Sequence, residues 1–255
     1  MPKHCGFGFM NTKYAIIDWD DTLYDTYGLR KATDQIFADH GINPALAQQL
    51  LKEKMARENI PSQDYSPELH LQAMQEAEIV HSHHLASIGD DYQELIKNMG
   101  EFFPPSSLDF LKRLRNELHL EPVILTYGQN ELQSSKIKHS GVLESMTGLQ
   151  AYIIQTNKKE FIEKHLLPEL GGRENVAYFI NDKIAETQEI HEQLRIPCIL
   201  KLPSYLTREA PRDHHCQYRE ADYEKSGLPY FSNFIDMFRY IEQRERQEFL
   251  EMRRK

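Results

Sequence analysis

The chain has 255 residues, 40% of them hydrophobic and 27% charged, with a formal net charge of −9. This is an ordinary globular composition, with room for one sizeable core or a core plus a smaller inserted domain. The acidic balance argues against a nucleic-acid partner, and no run approaches the ~18 consecutive apolar residues that a membrane span needs.

The N-terminal stretch, residues 1–12, reads as a tail whose apolar patch (Phe7 to Met10) lacks a signal-peptide core. Three cysteines, Cys5, Cys198 and Cys216, show no close pairing and read as reduced thiols, so the expected location is cytoplasmic. Five short apolar runs follow along the chain: YAIID (14–18), PVILT (122–126), AYIIQ (151–155), VAYFI (176–180) and PCILKL (197–202). They are rich in β-branched and aromatic residues with little polar alternation, as strands covered on both faces are. Helical patterns separate the later runs, at 106–118, 130–141, 158–170 and 183–195. Alternating strands and helices predict an α/β fold with a doubly wound parallel sheet.

Residues 24–103 interrupt this rhythm with four helical patterns and no strand. They span 28–41, 43–58, 66–84 and 91–103. The expected organisation is therefore an α/β core of 13–23 and 104–255 with an inserted all-helical cap at 24–103. An insertion directly after the first strand would lie over the carboxyl edge of the sheet, where such folds bind ligands, and is placed to act as a lid. The segment 203–229 reads as irregular, and the last helix is amphipathic at first and then mostly charged, leaving Phe249, Leu250 and Met252 free to dock on a partner. The sequence leaves the oligomeric state open.

The chemistry gathers at KYAIIDWDDTLYDT, where the first strand runs straight into Asp18, Asp20 and Asp21. Carboxylates two residues apart off a strand end can converge on one site around Mg²⁺, one attacking and the other exchanging a proton with the leaving group. An acidic turn capping the next helix is the plainer alternative. A calcium loop of EF-hand type lacks its glycine and distal glutamate. The histidines His81, His83 and His84, and the run His214-His215-Cys216, have no carboxylate or further ligand to complete a metal set and read as polar surface.

Residues 18–23, D-W-D-D-T-L, resemble the Asp-x-Asp-x-Thr-Leu signature of the haloacid dehalogenase-like superfamily. The resemblance implies Asp18 as a nucleophile forming an aspartyl-phosphate. It implies Asp20 as general acid/base, protonated for the first step, with its main-chain carbonyl on Mg²⁺. The superfamily's carbon–halogen hydrolases lack the second aspartate, so Asp20 points to phosphoryl transfer. Further elements follow in the family's order. Thr126 ends the second strand, and Tyr127 and Gly128 follow it to offer free amides to a phosphate, although many relatives have Asn at the position of Tyr127. Lys158, or its neighbour Lys159, begins a helix as the site lysine. Asp182 and Glu186 follow the fourth strand as metal ligands. The implied protein is a Mg²⁺-dependent phosphatase of a small phosphorylated metabolite. A phosphomutase on the same residues and a catalytically silent binding or regulatory protein are the other readings.

Overall fold

The computed structural model describes residues 12–61, 65–79, 82–207 and 219–254. Six strands form one wholly parallel sheet in the order β3-β2-β1-β4-β5-β6. They are β1 (Lys13–Ile17), β2 (Leu120–Tyr127), β3 (Gln150–Ile154), β4 (Val176–Asn181), β5 (Cys198–Lys201) and β6 (Tyr230–Phe231). The chain winds from β1 outward through β2 and β3, then crosses back to lay β4 on the other side of β1. Strand order reverses at β1, and the carboxyl ends of β1, β2 and β4 surround the crevice this creates.

Alternate residues of each strand enter two cores. Ala15, Ile17, Ile124 and Ile180 pack with Phe110, Leu111 and Leu114 of helix α5 (Pro105–Leu118) and with Met237, Phe238 and Ile241 of the C-terminal helix Phe234–Met252. Ile16, Val123, Leu125 and Phe179 face the other way, onto Ile162, Leu166 and Ile190. Coverage on both faces is why these strands read as unbroken apolar runs. The helical stretch from Lys158 to Glu169 contains a π-helical segment, Ile162–Leu166. Pro168 offers no N–H to the carbonyl four residues earlier, and the wider turn accommodates that loss.

Between β1 and α5 lie four helices, α1 (Thr26–Asp39), α2 (Pro44–Arg57), α3 (Pro67–Glu76) and α4 (Ser82–Lys97), followed by a 3₁₀ turn, Met99–Phe102. Asn43 and Ser66 cap α2 and α3 ahead of a proline at the first helical position, and Gly41 ends α1 at φ 72°. These helices have their own core of Phe37, Ala47, Met74, Ile88 and Tyr92.

Three expectations are corrected. The third helix ends at Glu76 rather than running to 84, and the fourth starts at Ser82 rather than 91. Glu78 takes a left-handed φ of 55°, and the N–H groups of Glu78 and Ile79 turn back to Gln75 and Met74 in a closing motif that needs no glycine. The segment read as irregular contains two short helices, Ser204–Thr207 and Glu220–Lys225, and directly after it comes the two-residue strand β6, where the carbonyls of Pro229 and Phe231 accept from Leu200 and Leu202 N–H. Cys5, His81, the side chain of His83, His214, His215 and Cys216 lie outside the described residues; Cys198 is buried and free. Among the described residues no helix is long and apolar enough to cross a membrane.

Phe37 is fully buried in the helical core. Phe37→Ala is expected to lower stability by about 3–5 kcal/mol, read as a fall in the urea midpoint. An unchanged midpoint would mean that this core adds nothing to the fold.

Candidate active site

Strand β1 delivers Asp18 into the crevice, where its N–H donates to the carbonyl of Ile180 at 2.8 Å and fixes the residue against β4. The carboxylate is almost wholly buried. Lys158 Nζ donates to Asp18 Oδ1 at 2.6 Å, and Thr22 Oγ1 donates to Oδ2 at 3.1 Å. Burial pushes the Asp18 carboxyl up, and Lys158 and then Lys183 pull it back. Burial also works against the Lys158 ammonium, but Asp18 and Glu186 carry it above its ordinary value. Of the two candidate lysines it is Lys158, at the first turn of its helix, that reaches Asp18, while Lys159 pairs with Glu163 at 2.9 Å.

Three residues on, the chain turns sharply. Asp21 adopts φ 57°, and its N–H donates to Tyr24 O at 2.8 Å, which closes the loop that leads into α1. Trp19 fills the space beneath, stacked between Tyr24 and Phe103. Burial is the main influence lifting the Asp21 carboxyl to about 6, against Arg30.

Asp20 has partners on both oxygens. Lys136 Nζ donates to Oδ1 at 2.6 Å and Thr26 Oγ1 donates to the same oxygen, while Gln133 Nε2 donates to Oδ2 at 2.7 Å and Thr126 Oγ1 at 3.5 Å. Burial would raise this carboxyl, but Lys136 first, then Thr26 and Gln133, bring it down to about 2. These partners favour the ionised form of Asp20 in this arrangement, whereas the first chemical step is expected to need it protonated. Gln133 and Lys136 were missed in the sequence. Their signal was two polar residues one helical turn apart on helix α6 (Asn130–His139), both buried.

Thr126 stands fully buried at the end of β2. The expectation of free amides after it is corrected at Gly128, whose N–H donates to Ile154 O at 3.3 Å. A Cβ there would come within 2.7 Å of Gln133 Nε2, so glycine leaves room for the amide that holds Asp20. Tyr127 is half-buried, pairs with Ile154 of β3 and packs against the second core.

Asp182 follows β4. It caps nothing, because the next helix, Ile184–Leu194, starts from Lys183 without a side-chain cap. Its Oδ1 is buried with no hydrogen-bond partner among the described residues. Burial, then Asp18 and Asp21, hold its carboxyl well above the ordinary range. Tyr223, unforeseen because it lies in the segment read as irregular, donates its hydroxyl to Asp182 O at 2.8 Å. Glu186 Oε2 accepts from Lys158 at 3.0 Å and from Asn181 Nδ2 at 2.8 Å. Among the described residues no three His, Cys, Asp or Glu side chains group closely enough to hold a metal. Of the anticipated set Asp18, Asp20, Asp182 and Glu186, the carboxylates of Asp18, Asp20 and Glu186 each have a lysine partner, Asp20 being expected through its main-chain carbonyl, and the ends of the adjacent strands β1 and β4 carry Asp18 and Asp182. Those two fit Mg²⁺, which takes one or two carboxylates and keeps several waters, and a cation would supply the partner that Asp182 Oδ1 lacks.

No family model and no curated protein matches the sequence. Solved structures match its fold. A haloacid dehalogenase-like family hydrolase of Xanthomonas campestris has a TM-score of 0.61 at 14% identity, covering 93% of this chain and 95% of that one. The HAD-hydrolase YfnB of Bacillus subtilis, solved bound to magnesium, scores 0.55 at 13% identity over 91% of this chain and 99% of its own. A HAD family hydrolase of Deinococcus radiodurans R1, solved with bound phosphate and sodium, scores 0.53 at 12% identity over 89% and 93%. The chain has the fold of the haloacid dehalogenase-like hydrolases: a parallel α/β core with a helical insertion after its first strand.

The raised Asp182 carboxyl sets a pH-linked test. A carboxyl held above its unfolded value of 3.8 means that the folded state binds the proton more tightly, so its contribution to stability falls as pH rises past 3.8. Asp182→Asn is expected to raise the melting temperature of the metal-free protein near neutral pH while abolishing any gain on adding Mg²⁺. A variant that melts lower without metal, or keeps the Mg²⁺ gain, would contradict this reading.

Proposed function

We propose that the chain is a Mg²⁺-dependent phosphoric monoester hydrolase acting on a small phosphorylated metabolite. The observation that carries this is the Lys158–Asp18 contact beside the unpartnered Asp182 oxygen, a carboxylate nucleophile with one lysine at its side and an acidic group awaiting a cation.

In this reading Asp18 attacks phosphorus, the ester P–O bond breaks, and the phosphoryl group rests on Asp18. Water then attacks the same phosphorus, the bond to Asp18 breaks, and inorganic phosphate leaves with the carboxylate restored. Mg²⁺, held by Asp18, Asp182 and the Asp20 main-chain carbonyl, would offset charge between the carboxylates and the phosphate. Lys158 would do the same through its contact with Asp18, and Thr126 would orient a phosphoryl oxygen. As an ion, Asp20 is ready to take the proton of the attacking water. To give a proton to the leaving alcohol it must first come free of Lys136 and Thr26 and take up a proton from solvent.

Dehalogenases occur among the matched folds, but the resemblance ties carbon–halogen chemistry to chains without the second aspartate, whereas here Asp20 has a lysine of its own. A putative β-phosphoglucomutase from Thermotoga maritima also shares the fold. A mutase would use the same residues and differ in returning the phosphoryl group to a second substrate rather than to water. The helical insertion, as a cap, would set the choice of substrate.

The test is phosphate release from a panel of metabolite phosphates and para-nitrophenyl phosphate, with Mg²⁺ and with chelator. Turnover is expected to require Mg²⁺ and to fall at least ~10⁴-fold in Asp18→Asn. Chelator-resistant turnover, or a normal rate in the variant, would contradict the proposal, and no turnover on any substrate while Mg²⁺ still binds would favour the silent binding protein.

A further inference from the structure

Behind the loop that carries the chain from Asp18 into the helical insertion lies a cavity of about 400 Å³ that neither Asp18, Asp20, Thr126, Lys158 nor Asp182 lines. Its walls are the two segments joining core and insertion, residues 21–25 and 104–107, together with the end of β5 and the start of the C-terminal helix. The volume is that of a small-molecule site, and its lining has the usual form of an apolar body with a few polar groups. Leu23, Phe110, Phe234 and Phe238 supply the body.

Lys201 is the polar group that stands out. It is only 7% exposed, donates from Nζ to Leu202 O at 2.6 Å, and sits 5.3 Å from the centroid of the Phe234 ring. Among the described residues no carboxylate lies within ion-pair distance of it. Burial pulls its ammonium down to about 8, opposed from further away by Asp182, Asp21 and Asp25. Of the other charged groups of the wall, Asp21 accepts from Tyr27 N–H, Asp25 from Gly28 N–H and Ser204, Arg113 holds Glu117, and Asp109 is exposed to solvent. An ammonium has three donors, and one main-chain carbonyl takes up a single one. A buried cation in an apolar cavity is stabilised by an anion that brings its own apolar surface.

We propose that this cavity is a binding site, separate from the Asp18 centre, for a small organic anion with an apolar body. Lys201 receives the anionic group, and Leu23, Phe110, Phe234 and Phe238 receive the body. Thr22 is part of the wall and donates to Asp18, so an occupant touches the segment that holds the nucleophile as well as both connections to the insertion.

Phenylacetate is a suitable probe, with 2-phenylethanol as its neutral and 2-phenylethylamine as its cationic counterpart. Trp19, the single tryptophan, stacks 5.5 Å from Tyr24, which lines the cavity, so its fluorescence reports occupancy in the full chain without any catalytic assay. Phenylacetate is expected to bind saturably by fluorescence and calorimetry, more tightly than the alcohol, and the amine not at all. Lys201→Met should weaken it at least about tenfold, the scale of a lost charged hydrogen bond. Ser106→Phe, at an exposed position on the rim, should block it without disturbing the core. Inorganic phosphate should not displace it. Absence of saturable phenylacetate binding, equal affinity in both variants, tighter binding of the amine, or displacement by phosphate would each overturn the proposal.

Discussion

The carboxylate of Asp18 sits out of water at the centre of a parallel sheet, with β2 on one side and β4 on the other. Moving such an ion from solvent costs several kcal/mol even after the surroundings relax, and an attraction at short range offsets this only with good geometry and further hydrogen bonds. Lys158 at 2.6 Å and Thr22 at 3.1 Å meet that requirement, and Lys158 in turn is held by Glu186. Much of the local structure serves this contact. The helix that begins at Lys158 is anchored on the second core by Ile162 and Leu166, and β1 is pinned to β4 by the Asp18 N–H. Asp182 remains the unbalanced member, with a buried oxygen that no protein group satisfies among the described residues.

Asp20 lies at the junction of core and insertion. Thr26, at the first position of α1, shares its Oδ1 with Lys136 of α6, while Gln133 and Thr126 meet Oδ2. Any motion of the first insertion helix relative to the sheet therefore acts on this carboxylate directly. The aromatic stack of Tyr24, Trp19 and Phe103 and the hydrogen bond from Ser107 Oγ to Leu23 O at 2.6 Å join the outgoing and returning connections close by.

Much of this was legible in the sequence, for identifiable reasons. Strands covered on both faces show as unbroken apolar runs, and acidic or hydroxyl residues directly after them stand out, which is how Asp18, Asp20, Thr126 and Asp182 could be singled out. The remainder depended on tertiary contact. Strand β6 has two residues and leaves no pattern of its own. Glu78 ends α3 in a conformation usually marked by glycine, so no stop was visible. Lys136 and Gln133 look like any polar residues of a surface helix until the fold brings them to Asp20, and the contact of Glu186 with Lys158 is likewise made only by the fold. The Gly128 amide, which a linear reading leaves free for phosphate, is taken by the neighbouring strand.

The claim on which the account rests is that Asp18 receives the phosphoryl group. Borohydride reduction of a quenched single turnover with para-nitrophenyl phosphate converts an aspartyl-phosphate into homoserine, which peptide mass spectrometry can place in the sequence. The account predicts homoserine at position 18 and at no other aspartate. Homoserine elsewhere, or turnover that leaves residue 18 unmodified throughout, would contradict it.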